Sequence, residues 1–215
     1  MFVANRMTKN PITVQPGTKI DEAAALMKKN KVRRLPVVDE GKLVGFISDK
    51  DIMRVSPSPA TTLSKYEISS LLAQMCVKDI MASGVIAVRE DATIEEAALL
   101  MANNKIGGLP VVSDVGVVVG VITETDVFHA FVDVMGLADG KTRLTIEVDN
   151  KVGVVRDLAG IFADQGFNID SLVTCKKADG KYDIIVRGDF PNVDEISAKL
   201  AEHGYNVIHS TRIGH

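Results

Sequence analysis

The feature that most constrains this 215-residue chain is an internal repeat. Setting Met7 against Met81 and running to Val44 against Val118, then passing over Val119 and continuing from Gly45 against Gly120 to Arg54 against His129, aligns 48 pairs, 19 of them identical. A unit of about 50 residues buries too little of its own apolar surface to stand alone. Two such copies are therefore expected to pack on each other and leave a pseudo-twofold cleft between them. Each copy reads as strand, helix, strand, strand, helix. Ile20, Ala23, Ala24 and Met27 recur as Ile94, Ala97, Ala98 and Met101, the i, i+3, i+4, i+7 stripe of a half-buried helix. Thr18 with Asp21, and Thr93 with Glu96, have the spacing of a capping box and predict where those helices begin. The runs LPVV, LVGFIS and VVVGVIT are β-branched and predict strands covered on both faces, with Asp39-Glu40-Gly41 as a tight turn.

Boundaries follow from this pattern: a first repeat over 1–55, a helical linker over 56–76, a second repeat over 77–135 and a separate domain over 140–215. The linker opens with Pro57 and Pro59 and then spaces Tyr66, Ile68, Leu71, Leu72 and Met75 as a helix that covers the repeat core or binds a partner. A composition of 46% hydrophobic and 25% charged residues is that of a globular chain. The net charge of −3 supplies no field for nucleic acid or an anionic membrane, so neither is expected as a partner. Without a long apolar run or a signal-peptide core, the expected location is the cytoplasm. Cys76 and Cys175 fall in different predicted domains and are read as free thiols.

Both copies carry glycine, two hydrophobic residues, a hydroxyl residue and then Asp three positions on. They are Gly45-Phe46-Ile47-Ser48-Asp49-Lys50-Asp51 and Gly120-Val121-Ile122-Thr123-Glu124-Thr125-Asp126. A carboxylate can accept both hydroxyl protons of a ribose, and a hydroxyl beside the bare N–H groups of a helix start suits phosphate. Ser or Thr followed by Asp at this spacing is equally a capping box that needs no ligand, and spacing alone leaves both readings open. Charge divides the copies: residues 1–55 hold 11 basic against 6 acidic side chains, residues 77–131 hold 3 against 8. Arg33 and Arg34 precede LPVV in the first copy where Gly107 and Gly108 stand in the second. Only the first can offer guanidinium forks there, unless the pair is merely a solvated edge.

These paired motifs resemble a tandem CBS-domain pair, or Bateman module, over roughly residues 1–135. The resemblance implies a cleft for an adenine nucleotide (AMP, ADP, ATP or S-adenosylmethionine) acting as a regulatory ligand. It would place Asp51 and Asp126 on ribose hydroxyls and Ser48 and Thr123 near phosphate, with Arg33 and Arg34 as further nucleotide-binding candidates.

From Thr142 the pattern changes to strand, helix, hairpin around Ala178-Asp179-Gly180, helix and strand, the βαββαβ order of a ferredoxin-like fold. With Asp149-Asn150-Lys151-Val152-Gly153 before the first helix and Gly166-Phe167-Asn168-Ile169 after it, this segment resembles an ACT domain. The resemblance implies a small amino acid bound by Asp149, Asn150, Gly153, Asn168 and Ile169, at an interface between paired domains. Val152 stands where the family usually has proline, and Gly153 has the plainer role of permitting the turn. The fold class expected is α+β: a CBS pair plus a ferredoxin-like ACT domain.

His129, His203, His209 and His215 follow no metal spacing, and no nucleophile elbow or P-loop is present. No enzymatic activity, catalytic residue, metal or resident cofactor is expected. The chain reads as a regulatory sensor, a homodimer acting through an unidentified regulated protein, or else as an assembly module whose ligand sites are degenerate.

Overall fold

The computed structural model describes residues 1–55, 67, 74–137 and 140–212. It divides into two compact units, Met1–Ala130 and Phe131–His215. The helix expected across Tyr66, Ile68, Leu71 and Leu72 lies outside the described residues.

The first unit contains both copies up to Ala130, within the second copy's last helix. The first supplies β1 (Thr8–Lys9), α1 (Ile20–Asn30), β2 (Arg34–Asp39), β3 (Lys42–Ser48) and α2 (Asp49–Val55). The second supplies β4 (Val88–Arg89), α3 (Ile94–Asn104), β5 (Gly108–Val112), β6 (Val118–Thr123) and α4 (Glu124–Val134). In each helix the stripe seen in the sequence is the buried one: Ile20, Ala23 and Met27 in α1, and Ile94, Ala97 and Met101 in α3. The helix starts differ. Thr93 caps α3 in a reciprocal box with Glu96. The box expected of Thr18 and Asp21 does not form, because α1 begins one residue too late for it; its N-cap is Lys19, and the Thr18 hydroxyl accepts from the Gln15 amide at 3.1 Å instead.

In each copy the LPVV strand forms an antiparallel hairpin with the strand that follows it, β2 with β3 and β5 with β6. The extra residue of the second copy lies in the hairpin loop and not at Val119. Asp39 pairs with Lys42 across the two-residue turn Glu40-Gly41, both at positive φ, whereas Ser113 closes on Val117 across three residues. Val44 and Val119 are thus equivalent.

The copies exchange their leading segments. The turn Val3–Asn5 docks on the second copy through Val3 N to Ala92 O at 2.8 Å and Ala4 N to Glu90 O at 3.0 Å, and β1 pairs with β6. Reciprocally, Val77 N bonds Thr18 O at 2.8 Å, Lys78 N bonds Pro16 O at 2.9 Å, and Ala82 bridges Phe46. Val3 and Val77 are fully buried, each in the other copy's core. Burying such a side chain contributes about 1.5–3 kcal/mol, so the exchange ties the copies together. Met7 lies over Gly120 and Met81 over Gly45, where a Cβ would overlap the sulfur atom, and this explains why both positions recur as Met and Gly.

The second unit is the predicted βαββαβ: β7 (Thr142–Val148), α5 (Val154–Asp164), β8 (Ser171–Lys176), β9 (Tyr182–Gly188), α6 (Val193–Glu202) and β10 (Asn206–Arg212). Its antiparallel sheet has the order β10-β7-β9-β8, and one face packs Leu144, Ile146, Ile184 and Val186 against Leu158, Phe162, Ile196 and Leu200 of the two helices. The fold class is α+β throughout.

Candidate functional site

Each hydroxyl–aspartate motif sits where a hairpin strand runs into a helix. At β3–α2, Asp51 Oδ2 accepts from Ser48 N at 2.9 Å and Ser48 Oγ at 2.6 Å. At β6–α4, Asp126 Oδ2 accepts from Thr123 N at 2.8 Å and Thr123 Oγ1 at 2.7 Å. The capping role weighed from the sequence is real in both copies. In each copy both cap bonds fall on Oδ2, one oxygen of a two-oxygen acceptor, so cap and ligand contact are compatible.

The exchange of leading segments builds a composite cleft of about 500 Å³. The first copy lines it with Thr8 of β1, with Asn10 and Ile12 just after it, and with Lys31, Arg33 and Arg34 from the end of α1 to the start of β2; the second adds Val121, Thr123, Thr125 and Asp126. The structure therefore brings Arg33, Arg34, Thr123 and Asp126 together. Ser48 and Asp51 hold the corresponding place in the other half and do not line this cleft. The cation-bearing wall and the aspartate-bearing wall come from different copies, an arrangement that suits a ligand with an anionic end and a hydroxylated ring.

Arg34 also explains the glycines of the second copy. Its side chain runs across the start of β5, so that a Cβ on Gly108 would lie 3.0 Å from Arg34 Cδ. A Cβ on Gly107 would overlap Arg34 Nη2 and approach Glu124 Oε2 to 2.8 Å. Gly107 and Gly108 lack donors, as the sequence says, but they are also the room that Arg34 occupies. Sequence reasoning missed Asn10, Lys31 and Thr125. The signal for the first two was faint: both adopt positive φ, 49° and 55°, at chain reversals that a sequence does not mark.

In the second unit, Gly153 caps α5 with φ 97°, a left-handed conformation that glycine adopts without strain. Asp149, Asn150 and Gly153 line a recess of about 260 Å³ with Thr174 and Tyr182. Lys151 Nζ donates to Asp149 Oδ2 at 2.9 Å and holds that carboxyl below its usual range. Val152, at the position usually held by proline, is fully exposed. Asn168 and Ile169 are not brought into this recess: Asn168 Nδ2 contacts Asp170 Oδ1 at 3.2 Å, and Ile169 packs against the core. Cys76 and Cys175 are free thiols. His129 is exposed, His203 Nδ1 contacts the Lys199 carbonyl at 2.9 Å, and His215 lies outside the described residues. Among the described residues no cluster of three metal-ligating side chains occurs and no helix is long and apolar enough to cross a membrane.

Two hairpin-and-helix copies with a composite cleft between them, followed along the chain by a ferredoxin-like unit, define a paired-repeat module joined to a second small domain. The chain belongs to the CBS domain family, whose profile matches residues 3–58 and 77–133; that of the AHAS small subunit-like ACT domain matches residues 144–187. Among solved structures it is similar to CBSX2 in complex with AMP (31% identity, TM-score 0.51, 61% of this chain and 96% of that one). It is similar also to the CBS domain pair of MJ0100 in complex with 5′-methylthioadenosine and S-adenosyl-L-methionine (32%, 0.51, 61% and 95%). A third is a proposed acetoin utilization protein (AcuB) from Vibrio cholerae (30%, 0.50, 62% and 91%). Two sequence relatives from Methanocaldococcus jannaschii, 37% and 34% identical over 131 residues, are matched over 47% and 23% of their own lengths, so the chain spans less than half of each.

Proposed function

We propose that the protein is a cytoplasmic regulatory sensor that binds an adenine nucleotide in the composite cleft and passes its occupancy to a protein partner. The observation that carries this reading is the convergence of Arg33 and Arg34 from one copy with Thr123 and Asp126 from the other on one 500 Å³ cleft. Asp126 takes the ribose hydroxyls and the arginines take phosphate, while Ser48 and Asp51 serve the pseudo-equivalent position. The AMP and S-adenosylmethionine complexes of similar CBS pairs support an adenosine ligand. The likeness to AcuB supports a place in acetoin utilisation. The loop of Asp149, Asn150 and Gly153 is proposed to bind a small amino acid, with Asn168 and Ile169 contributed by a paired domain. The reading assigns no catalytic step to the chain.

Pairing of two chains is part of the proposal. Met53 on α2 and Phe128 on α4 occupy equivalent positions in the two copies and are 70% and 69% exposed, an apolar pair suited to a second copy. A monomer mass by light scattering at micromolar concentration refutes the homodimer.

Calorimetry of the whole chain with AMP, ATP, S-adenosylmethionine and adenosine tests the sensor, with one or two sites per chain expected. A folded protein that binds none of them leaves the second reading, an assembly module. That reading is favoured by one observation: both hydroxyl–aspartate pairs already satisfy each other as caps.

A further inference from the structure

The face of the β7–β10 sheet opposite the helix-covered core carries an unbalanced group of cations. Directly opposed residues share a face, and the pairs Arg143–Arg187, Thr145–Ile185 and Thr145–His209 put Arg143, Thr145, Arg187 and His209 on this one. Arg187 is only 5% exposed, yet its Nε and Nη1 have no hydrogen-bond partner. Arg143 Nη1 donates to Thr145 Oγ1 at 2.6 Å and lies 3.5 Å from His209 Nδ1, so these contacts are to uncharged or basic groups. Burial, and secondarily Arg143, lowers the Arg187 guanidinium from its ordinary value.

The far end of the same face shows what a balanced cluster looks like. There Glu147 accepts from Lys177 and from Lys181 at 2.7 Å, and Lys177 lies 3.6 Å from Asp183. Asp170, whose amide bonds the Arg187 carbonyl, has its carboxylate engaged by Lys141 at 3.5 Å and Asn168 at 3.2 Å. Among the described residues no carboxylate pairs with Arg143 or Arg187. A guanidinium kept from water without an anion is costly, and two facing each other across adjacent strands compound that cost. The half-buried Arg143 and exposed His209 leave the group open toward the β10 edge.

We propose that this cluster is an oxyanion site that takes a phosphate dianion, free or as a phosphomonoester, between Arg143 and Arg187, with Thr145 and His209 beside it. Two forked cations match a doubly charged tetrahedral oxyanion in both charge and hydrogen-bond count, where a monocarboxylate leaves one fork unpaired. The site is separate from the nucleotide cleft and stands or falls without it.

The test is a titration of the full chain with inorganic phosphate at constant ionic strength, read by calorimetry, with acetate and a phosphorylated sugar as comparisons. Phosphate should bind, acetate more weakly, and Arg187→Met should weaken phosphate at least about tenfold. The double variant Arg33→Ala, Arg34→Ala should leave this binding in place. Without phosphate, Arg187→Met should melt higher than the parent, since an apolar side chain replaces an unpaired buried charge. Competition by the sugar phosphate identifies a phosphomonoester ligand, and its failure to compete identifies free phosphate. The proposal is overturned if phosphate does not bind the folded parent, if Arg33 and Arg34 account for all of it, or if Arg187→Met binds as the parent does. Should Arg187→Met not fold, Arg143→Met at the half-buried position decides in the same way.

Discussion

Replacing Asp126 with alanine separates the two roles its carboxylate can play. In the free chain Oδ2 closes the start of α4 by accepting from Thr123 N and Oγ1 at 2.8 and 2.7 Å. Losing a cap of this kind costs about 0.5–2 kcal/mol, a fall in melting temperature of roughly 2–8 °C for a domain of this size. Ligand contact adds a separate loss. Charged hydrogen bonds to ribose are worth about 1.5–3 kcal/mol, so the dissociation constant for adenosine should rise roughly ten- to 150-fold. Asp51→Ala breaks the matching cap, with bonds of 2.9 and 2.6 Å, and should lower stability by a similar amount. Since Asp51 does not line the 500 Å³ cleft, that variant should keep the site that Asp126 lines. The assays are thermal unfolding without ligand and calorimetry with adenosine, both on the full chain. An Asp126→Ala protein that melts lower yet gives the parent's adenosine isotherm refutes the reasoning and leaves Asp126 a helix cap alone.

Three other outcomes are expected. The Arg33→Ala, Arg34→Ala variant should lose affinity for ATP more than for adenosine, by about 1.5–3 kcal/mol for well-formed contacts and less where solvent screens them, with the difference shrinking as salt rises; an unchanged ATP-to-adenosine ratio makes the pair a solvated edge. Glu147 is held at about 2, far below its ordinary 4.5, by hydrogen bonds from Lys177 and Lys181. Because the folded value is the lower one, this stabilisation is complete above about pH 4.5 and fades as pH falls toward 2, so Glu147→Gln should lower the melting temperature at pH 7 and not at pH 2. An equal loss at both pH values refutes the linkage. Finally, Gly120→Ala should destabilise more than Gly45→Ala, by about 1–3 kcal/mol in denaturant unfolding: a new Cβ at Gly120 meets the Thr8 carbonyl oxygen at 3.1 Å, whereas at Gly45 the close atoms all belong to the flexible Met81 side chain. Equal losses at the two glycines contradict this.

Much of the architecture is local and therefore written in the sequence. The stripes Ile20, Ala23, Met27 and Ile94, Ala97, Met101 fix which helix faces are buried, because helical periodicity alone decides which side chains share a face. The step from strand to helix at Ser48 and Thr123 is likewise local, set by a hydroxyl and a carboxylate three residues apart. So is the βαββαβ order of the last domain. Even locally, one residue of register matters: the Thr18 box fails because α1 starts after Lys19. What the repeat could not reveal is which copy each piece serves. A repeat is indifferent to exchange, since Val3 fits the second copy's core as well as Val77 fits the first, and only packing decides that they cross. That crossing places Arg33 and Arg34 opposite Thr123 and Asp126, far apart in sequence, and sends Arg34 over Gly107 and Gly108. The Arg143–Arg187 pairing arises the same way, from strand order: β7 and β9 become neighbours only when the sheet closes, and two arginines innocuous in the sequence then face each other with one of them buried. Periodicity and capping act within a few residues and can be read in order along the chain. A binding site is assembled from side chains that meet only after the backbone has folded, so its composition belongs to the tertiary structure.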